Sequence, residues 1–173
     1  MDQETKREII LDNYQNPFNK DGKDELNYEK INSNNESCID NIDIYCKIED
    51  GIIKDIHFNG EACAISTAST SIMLKNIIGK SIDEATKYIE NFLNMVNENE
   101  YNEEELNEGI AFSEIYKQQN RKTCVTLPYT GIKKILNKYQ NEQKWIKSTT
   151  KFVDFIIFKI LNYMILLSWW LLW

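Results

Sequence analysis

Four side chains in this sequence could together bind a metal ion: Cys38, Asp40, Cys63 and Cys124. Thiolates and carboxylates are common zinc donors, and a protein-bound zinc ion usually takes four ligands in a tetrahedron. Cys38 and Asp40 would point to the same side of an extended chain, because side chains alternate along a strand. The sequence has no CxxC pair, so the spacing alone leaves open that these cysteines are ordinary core residues.

Cys63 has the most informative surroundings of the four. It lies in the run Gly60-Glu61-Ala62-Cys63-Ala64-Ile65-Ser66, after a predicted strand and before a helix start rich in small residues. The N–H groups at a helix start favour the thiolate, which is the form that binds metal and attacks sulfur. The sequence therefore predicts a metal-bound or reactive sulfur at this position.

Two other potential ligands are predicted to stay outside such a site. Cys46 alternates in phase with the isoleucines of a predicted strand, so its side chain is expected in the core. His57, the only histidine, has the opposite phase to Phe58 near the end of the next strand. We expect it to be a surface residue and not a ligand.

The elements that must position these side chains are those of a short α+β domain. Alternating apolar residues predict strands over 42–48 and 52–58, and Asp50-Gly51 between them predicts a hairpin turn. The polar stretch 19–35 is expected to be loop with one short strand. The acidic stretch 97–108 is expected to be a solvated loop and helix edge. Helices are predicted over 5–14, over 64–78, from a Ser81 capping box onward, and from about Pro128 to Tyr139. Cys124 would then lie in the loop entering the last helix.

Length and charge narrow the classes of function. The chain has 173 residues, enough for one domain with a real core, and a net charge of -7. A sequence pI near 4.9 argues against nucleic acid as a partner. The charged N-terminus lacks the apolar segment of a signal peptide. Four cysteines without an export signal predict a cytoplasmic, reducing compartment, where thiols bind metal or react more often than they pair.

Four segments of the sequence resemble the U-type iron–sulfur cluster assembly family, which comprises IscU, SufU and NifU N-terminal domains. The run from Arg7 to Pro17 resembles the family's opening helix, and Cys38-Ile39-Asp40 corresponds to its first Cys-Gly-Asp. The run from Gly60 to Ser66 closely matches the second-cysteine loop, and Arg121-Lys122-Thr123-Cys124 resembles the third-cysteine segment. The resemblance covers about residues 5 to 140. It implies a SufE/IscU-like fold, with a small antiparallel β-sheet packed against helices.

Within this family the sequence is more similar to the SufU branch than to the IscU-like scaffolds. Thr123 stands where the scaffold branch has a histidine before the third cysteine, and the Leu-Pro-Pro-Val-Lys chaperone motif is absent. The acidic stretch at about 97–116 resembles the insertion typical of SufU proteins. Ile39 replaces the family's glycine. A β-branched residue adopts positive φ only at a cost, so Asp40 would be displaced if the backbone needed that conformation.

The resemblance implies a zinc-dependent sulfurtransferase of iron–sulfur cluster assembly. Zn²⁺ would be bound by Cys38, Asp40, Cys63 and Cys124. A pyridoxal-phosphate-dependent, SufS-like cysteine desulfurase would donate persulfide sulfur to Cys38, and in the family a desulfurase histidine replaces one cysteine on the zinc. A downstream iron–sulfur scaffold or apo iron–sulfur protein would receive the sulfur, and Arg121 could pair with a partner carboxylate. Two alternatives are open: a scaffold that assembles a [2Fe–2S] cluster on the same ligands, and a degenerate member with purely structural zinc.

The chain continues beyond the family-like domain, which is predicted to span residues 1–143, into an apolar tail over 144–173. The uncharged run from Ile160 to Trp173 is shorter than the approximately 20 residues that span a bilayer, although including Asp154 and Lys159 gives enough length. All four tryptophans lie at or after Trp145. Three interpretations are open: a membrane anchor, an extra packed helix, or sequence translated past an ancestral stop.

Overall fold

A computed structural model describes the backbone of residues 1–21, 26–35 and 38–170, and the side chains in these ranges except those of 148, 154, 155 and 158–170. The chain divides into two compact units, Met1–Leu136 and Asn137–Trp173. The described elements are α1 (Gln3–Gln15), β1 (Glu29–Asn34), β2 (Asn41–Glu49), β3 (Ile52–Glu61), α2 (Ala64–Ile77), α3 (Ile82–Val96), 3₁₀ helices at Glu103–Glu105, Asn107–Phe112 and Ile115–Lys117, and α4 (Gln119–Trp170).

The three strands form one antiparallel sheet in the order β1-β2-β3. Asp50 and Gly51 connect β2 to β3 with φ values of 51° and 74°, the conformation that a tight hairpin needs and that Asp and Gly tolerate best. β1 is the short strand expected within the polar stretch. Cys46 is fully buried, as its alternation predicted. The α+β class and the antiparallel sheet with packed helices are confirmed.

The first two helices are joined by a buried polar contact. Ser71 of α2 donates a 2.7 Å hydrogen bond to the Asn13 side chain of α1, and both residues are buried. α2 is buried along most of its length, which its small side chains permit. The predicted capping box at the start of α3 is present, with Ser81 and Glu84 each capping the other's backbone N–H.

The predicted start of the last helix is wrong. α4 begins at Gln119, so Pro128 lies inside the helix and Cys124 lies in its second turn, not in a loop before it. Proline is common in a first helical turn, which is why the sequence suggested a start there. A proline inside a helix lacks the N–H that would bond the carbonyl four residues earlier, here that of Cys124.

The acidic stretch is less solvated than predicted. Its glutamates over 103–105 are exposed, but Leu106 is fully buried, and Phe112 just beyond packs edge-on against Phe92 of α3 with ring centroids 6.2 Å apart. The chain here forms short, interrupted 3₁₀ helices with three residues per turn, so its apolar residues do not follow the regular 3.6-residue period of an α-helix. That irregularity hid their contribution to the core.

His57 is also more buried than predicted, with 9% of its surface exposed. Tyr28 packs edge-on against its ring at 4.9 Å, and Tyr45, its neighbour across the sheet, lies at 5.4 Å. Tyr28 also donates a 2.6 Å hydrogen bond to Asp55. The alternation correctly separated His57 from Phe58, but the prediction did not foresee that Tyr28 covers this face of the sheet.

The unit Asn137–Trp173 is helical over its described part and exposes large apolar side chains. Trp145 is 70% exposed and Phe152 is 65% exposed. The described side chains from residue 145 to residue 157 are exposed and do not form a packed core. No helix among the residues that the structure describes is long and apolar enough to cross a membrane. The side chains of the run from Ile160 to Trp173 lie outside the described residues.

Replacing Phe92 with alanine is expected to destabilise the first unit by about 3–5 kcal/mol. Phe92 is fully buried, stacks on Tyr129 of α4 with ring centroids 3.8 Å apart, and contacts Phe112. Urea unfolding followed by circular dichroism measures the change. Phe152→Ala is the exposed control and should alter the free energy of unfolding by less than about 0.5 kcal/mol. Equal, small effects of both substitutions would contradict the packing described.

Candidate metal centre

The structure brings together the four residues singled out from the sequence. One donor atom from each of Cys38, Asp40, Cys63 and Cys124 lies within 4.8 Å of the other three. We call this group the thiol–carboxylate cluster. Cys38 and Asp40 lie in the connection between β1 and β2, Cys63 precedes α2, and Cys124 lies on α4. Among the described residues it is the one group of this kind with three or more potential ligands.

Backbone hydrogen bonds of Asn35 help to position the first two cluster residues. The Asn35 amide donates to the Asp40 carbonyl, and the Cys38 amide donates to the Asn35 carbonyl, both at 2.9 Å. Ile39 is not among the described residues with positive φ, and its side chain is 68% exposed. The backbone therefore does not need a glycine here, and the displacement of Asp40 that Ile39 could have caused is absent.

Asp40 is the buried hub of the cluster. Its Oδ1 accepts a 2.7 Å hydrogen bond from the Cys63 amide, and its Oδ2 accepts one of 2.6 Å from Ser66 Oγ. Burial alone would raise the pKa of this carboxyl, but the hydrogen bonds from Cys63 and Ser66 outweigh it and leave the pKa below its ordinary value. Asp40 is thus held as an anion beside the thiols.

Cys63 is the N-cap residue of α2. Its sulfur accepts a 3.4 Å hydrogen bond from the Ser66 amide and lies 3.8 Å from Asp40 Oδ2. Gly60 allows β3 to end close to β2: its φ is +116°, and a Cβ there would lie 2.1 Å from the Asn41 carbonyl oxygen. The predicted position of Cys63 at a helix start is confirmed.

Cys124 is the most enclosed of the three cluster thiols, with 1% of its surface exposed. Asn35 Nδ2 lies 3.9 Å from its sulfur, and the thiol faces the Asn120 carbonyl at 3.8 Å. Burial, followed by the nearby Asp40 and Cys63, raises the pKa of this thiol. A second negative charge beside Asp40 is therefore unfavourable unless a cation is bound.

The donor set fits a tetrahedral zinc ion. Zinc lies about 2.3 Å from thiolate sulfur and about 2.0–2.2 Å from carboxylate oxygen, which places neighbouring ligand atoms about 3.5–3.8 Å apart. The 3.8 Å between Cys63 Sγ and Asp40 Oδ2 already matches this spacing. The other donors, all within 4.8 Å, need to move by only about 1 Å to reach it.

The remaining candidates lie outside the cluster. Cys46 is in the core, where burial raises its pKa to about 12, and His57 lies among the tyrosines on the sheet. Arg121 is exposed in the first turn of α4, three residues before Cys124. The sequence analysis did not identify Ser66 and Asn35, which contact the cluster. The position of Ser66 three residues after the N-cap was the available signal for it.

A family model of the NifU-like N-terminal domain matches residues 5–144. The chain belongs to this family. This chain is 38% identical over 104 residues to the iron–sulfur cluster assembly scaffold protein IscU of Thermotoga maritima. The matched region covers 60% of this chain and 73% of that protein. It is 33% identical over 129 residues to the zinc-dependent sulfurtransferase SufU of Bacillus subtilis, covering 74% of this chain and 86% of the relative.

Solved structures agree with this assignment. The NifU-N chain matches a Fervidobacterium islandicum protein described as an iron–sulfur cluster assembly scaffold for the SUF system, with a TM-score of 0.69 and 33% identity, covering 73% of this chain and 92% of that one. A NifU-like N-terminal domain from Brucella abortus shares the fold, with a TM-score of 0.70 at 19% identity, covering 81% and 99% of the two chains. The protein is a SufU-like member of the IscU/SufU/NifU-N family of iron–sulfur cluster assembly proteins.

Proposed function

We propose that this NifU-N protein is a zinc-dependent sulfurtransferase that accepts persulfide sulfur from a SufS-like, pyridoxal-phosphate-dependent cysteine desulfurase. The observation that carries the proposal is the thiol–carboxylate cluster, a donor set suited to zinc with one sulfur on a connection between strands. The SufU relative from Bacillus subtilis, named a zinc-dependent sulfurtransferase, also supports it. The proposed site of action is the cytoplasm.

Cys38 is the proposed sulfur acceptor. It is half-buried and lies between two strands, whereas Cys124 is fully enclosed on α4 and Cys63 is fixed as the N-cap of α2. A thiol on such a connection can turn toward a docked protein with less disruption than one inside a helix. Arg121, exposed one turn before Cys124, is the proposed contact for a carboxylate of the desulfurase.

Sulfur transfer requires only the exchange chemistry of thiols. The Cys38 thiolate attacks the terminal sulfur of the desulfurase persulfide, a new S–S bond forms, and the old S–S bond breaks. The desulfurase cysteine leaves as a thiolate, so Cys38 becomes the persulfide and no external oxidant or reductant is consumed. Bound zinc would stabilise the thiolate forms of the cluster cysteines before the partner docks. A downstream scaffold or apo iron–sulfur protein is the proposed recipient.

A second candidate function is assembly of a [2Fe–2S] cluster on the same four residues. The Thermotoga maritima relative is named an iron–sulfur cluster assembly scaffold, and cysteine thiolates also bind iron in such clusters. Protein purified without added metal separates the two candidates. Stoichiometric zinc with stimulation of desulfurase turnover supports sulfur transfer, whereas coloured, iron-containing protein supports the scaffold. Zinc without stimulation would indicate a structural ion.

Cys38→Ala is expected to lower the stimulation of desulfurase turnover by more than about tenfold, because the acceptor of the persulfide sulfur is removed. Mass spectrometry should find one added sulfur atom on the wild type after reaction with the desulfurase and none on the variant. Cys46→Ala, which removes a buried thiol outside the cluster, is the matched control and should behave as wild type. Retained zinc with unchanged stimulation in Cys38→Ala would refute the assignment of Cys38.

A further inference from the structure

Ser66 links all three segments that carry the thiol–carboxylate cluster. Its hydroxyl lies 2.6 Å from Asp40 Oδ2 in the β1–β2 connection, 3.0 Å from the Cys124 carbonyl oxygen on α4, and 3.6 Å from Cys63 Sγ. Its backbone amide also donates to Cys63 Sγ at 3.4 Å. The residue is completely buried, so water does not substitute for any of these contacts. A partner protein therefore cannot contact this hydroxyl directly.

Pro128 explains why the Cys124 carbonyl is available to a serine. In a regular helix the amide of residue 128 would donate to that carbonyl, but proline has no N–H. The Cys124 carbonyl is buried, and a buried acceptor without a donor costs free energy. From outside α4, Ser66 Oγ donates to the Cys124 carbonyl at 3.0 Å. α4 is thereby tied to the start of α2 at the residue that carries a cluster thiol.

Ser66 has one hydroxyl proton and two acceptors within reach. The Asp40 oxygen lies 2.6 Å away and the Cys124 carbonyl oxygen 3.0 Å away, so the carboxylate is the nearer acceptor, and a carboxylate accepts hydrogen bonds more strongly than a neutral carbonyl. When the proton points to Asp40, it holds the carboxylate with Oδ2 facing the cluster sulfurs. If Oδ2 binds the metal ion, the hydroxyl proton can instead be donated to the Cys124 carbonyl, so the hydroxyl keeps a hydrogen-bond acceptor. The hydroxyl can therefore orient the carboxylate and also release it.

We propose that Ser66 is a positioning residue of the metal centre: its single hydroxyl proton is donated to Asp40, which it orients, or alternately to the Cys124 carbonyl of α4. This inference rests on the proposed zinc site. Hydrogen-bond partners of ligating side chains commonly change metal affinity by about 10–100-fold when they are removed. Ser66 would act through Asp40 and through the placement of Cys124, without donating an atom to the metal itself.

Ser66→Ala is expected to weaken zinc binding by about 10–100-fold in competition with a chromophoric chelator. The variant should also shift the visible absorption bands of the cobalt-substituted protein, because these bands report the geometry of the ligands. Ser69→Ala is the matched control. Ser69 is completely buried one turn later on α2 and donates to the next carbonyl of α4, that of Val125, at 2.7 Å. It lacks a recorded hydrogen bond to the cluster among the described residues, so zinc affinity should stay within about threefold of wild type.

A second pair of variants covers the case in which Ser66→Ala does not fold. Ser66→Thr and Ser66→Val have nearly the same shape, so both introduce the same crowding and only the threonine keeps a hydroxyl. The threonine variant should bind zinc at least about tenfold more tightly than the valine variant. Equal affinities in the Thr/Val pair, or a Ser66→Ala variant with wild-type affinity and cobalt bands, would overturn the role of Ser66. Failure of the wild type to bind zinc would instead overturn the proposed zinc site.

Discussion

Cys63→Ala is expected to release the metal, with zinc affinity falling by more than about 100-fold, beyond the loss typical of a partner that only supports a ligand. The substitution removes one of three sulfur donors and also the side-chain cap of α2. That cap is the 3.4 Å hydrogen bond from the Ser66 amide to Cys63 Sγ, so the amide loses its side-chain acceptor. Metal analysis of the purified protein and chelator competition measure the effect. The zinc-to-protein ratio should fall from near one to near zero.

Cys46→Ala is the matched control for the Cys63 substitution. It removes a cysteine of the same size from a completely buried position on β2, so it tests for general loss of stability. The free energy of unfolding should fall by about 1 kcal/mol, because a small buried group is lost. Zinc stoichiometry should remain that of the wild type. Full zinc retention by Cys63→Ala would exclude this cysteine as a ligand.

Gly60→Ala is expected to destabilise the first unit by about 3 kcal/mol and to weaken zinc binding at the same time. The new Cβ would lie 2.1 Å from the backbone carbonyl oxygen of Asn41, which cannot rotate away as a side chain could. Asn41 follows Asp40, and Gly60 lies three residues before Cys63. Separation of β2 from β3 at this point would therefore move two ligands apart.

Gly51→Ala separates the cost of positive φ from the cost of the clash. Gly51 has a φ of +74°, but a Cβ there would have no atom within 4 Å, and the turn lies at the other end of the hairpin. The expected destabilisation is about 1 kcal/mol, with unchanged zinc affinity. Urea unfolding and chelator competition on both variants test the comparison. Similar losses of stability and affinity in the two variants would contradict a specific role of Gly60.

Local patterns predicted the parts of the fold that depend on neighbouring residues in the sequence. The alternation of β2, the Asp50-Gly51 turn and the Ser81 capping box each involve residues a few positions apart, and the structure has all three. The cap at Cys63 is of the same kind. For the cluster as a whole, the sequence suggested the four residues, but spacing left core cysteines as an equal alternative, and the family resemblance was needed to prefer a metal site.

The parts that the sequence did not predict depend on contacts between distant residues. Pro128 suggested a helix start because proline is common in a first helical turn. No local feature reveals that a serine of another helix donates to the Cys124 carbonyl. His57 was expected at the surface because no pattern within β3 reveals that Tyr28 covers it. Leu106 was assigned to a solvated stretch because its acidic neighbours dominate the composition there.

The cluster residues come from three segments that are widely separated along the chain. A metal ion bound to all of them would close two long loops at once, as a pair of disulfide bonds would, and would restrict the unfolded chain in proportion to the logarithm of loop length. A chelator would then act on this domain as a reductant acts on a disulfide-stabilised one. A metal cross-link of this kind is compatible with a reducing environment and can be removed and replaced without oxidation or reduction.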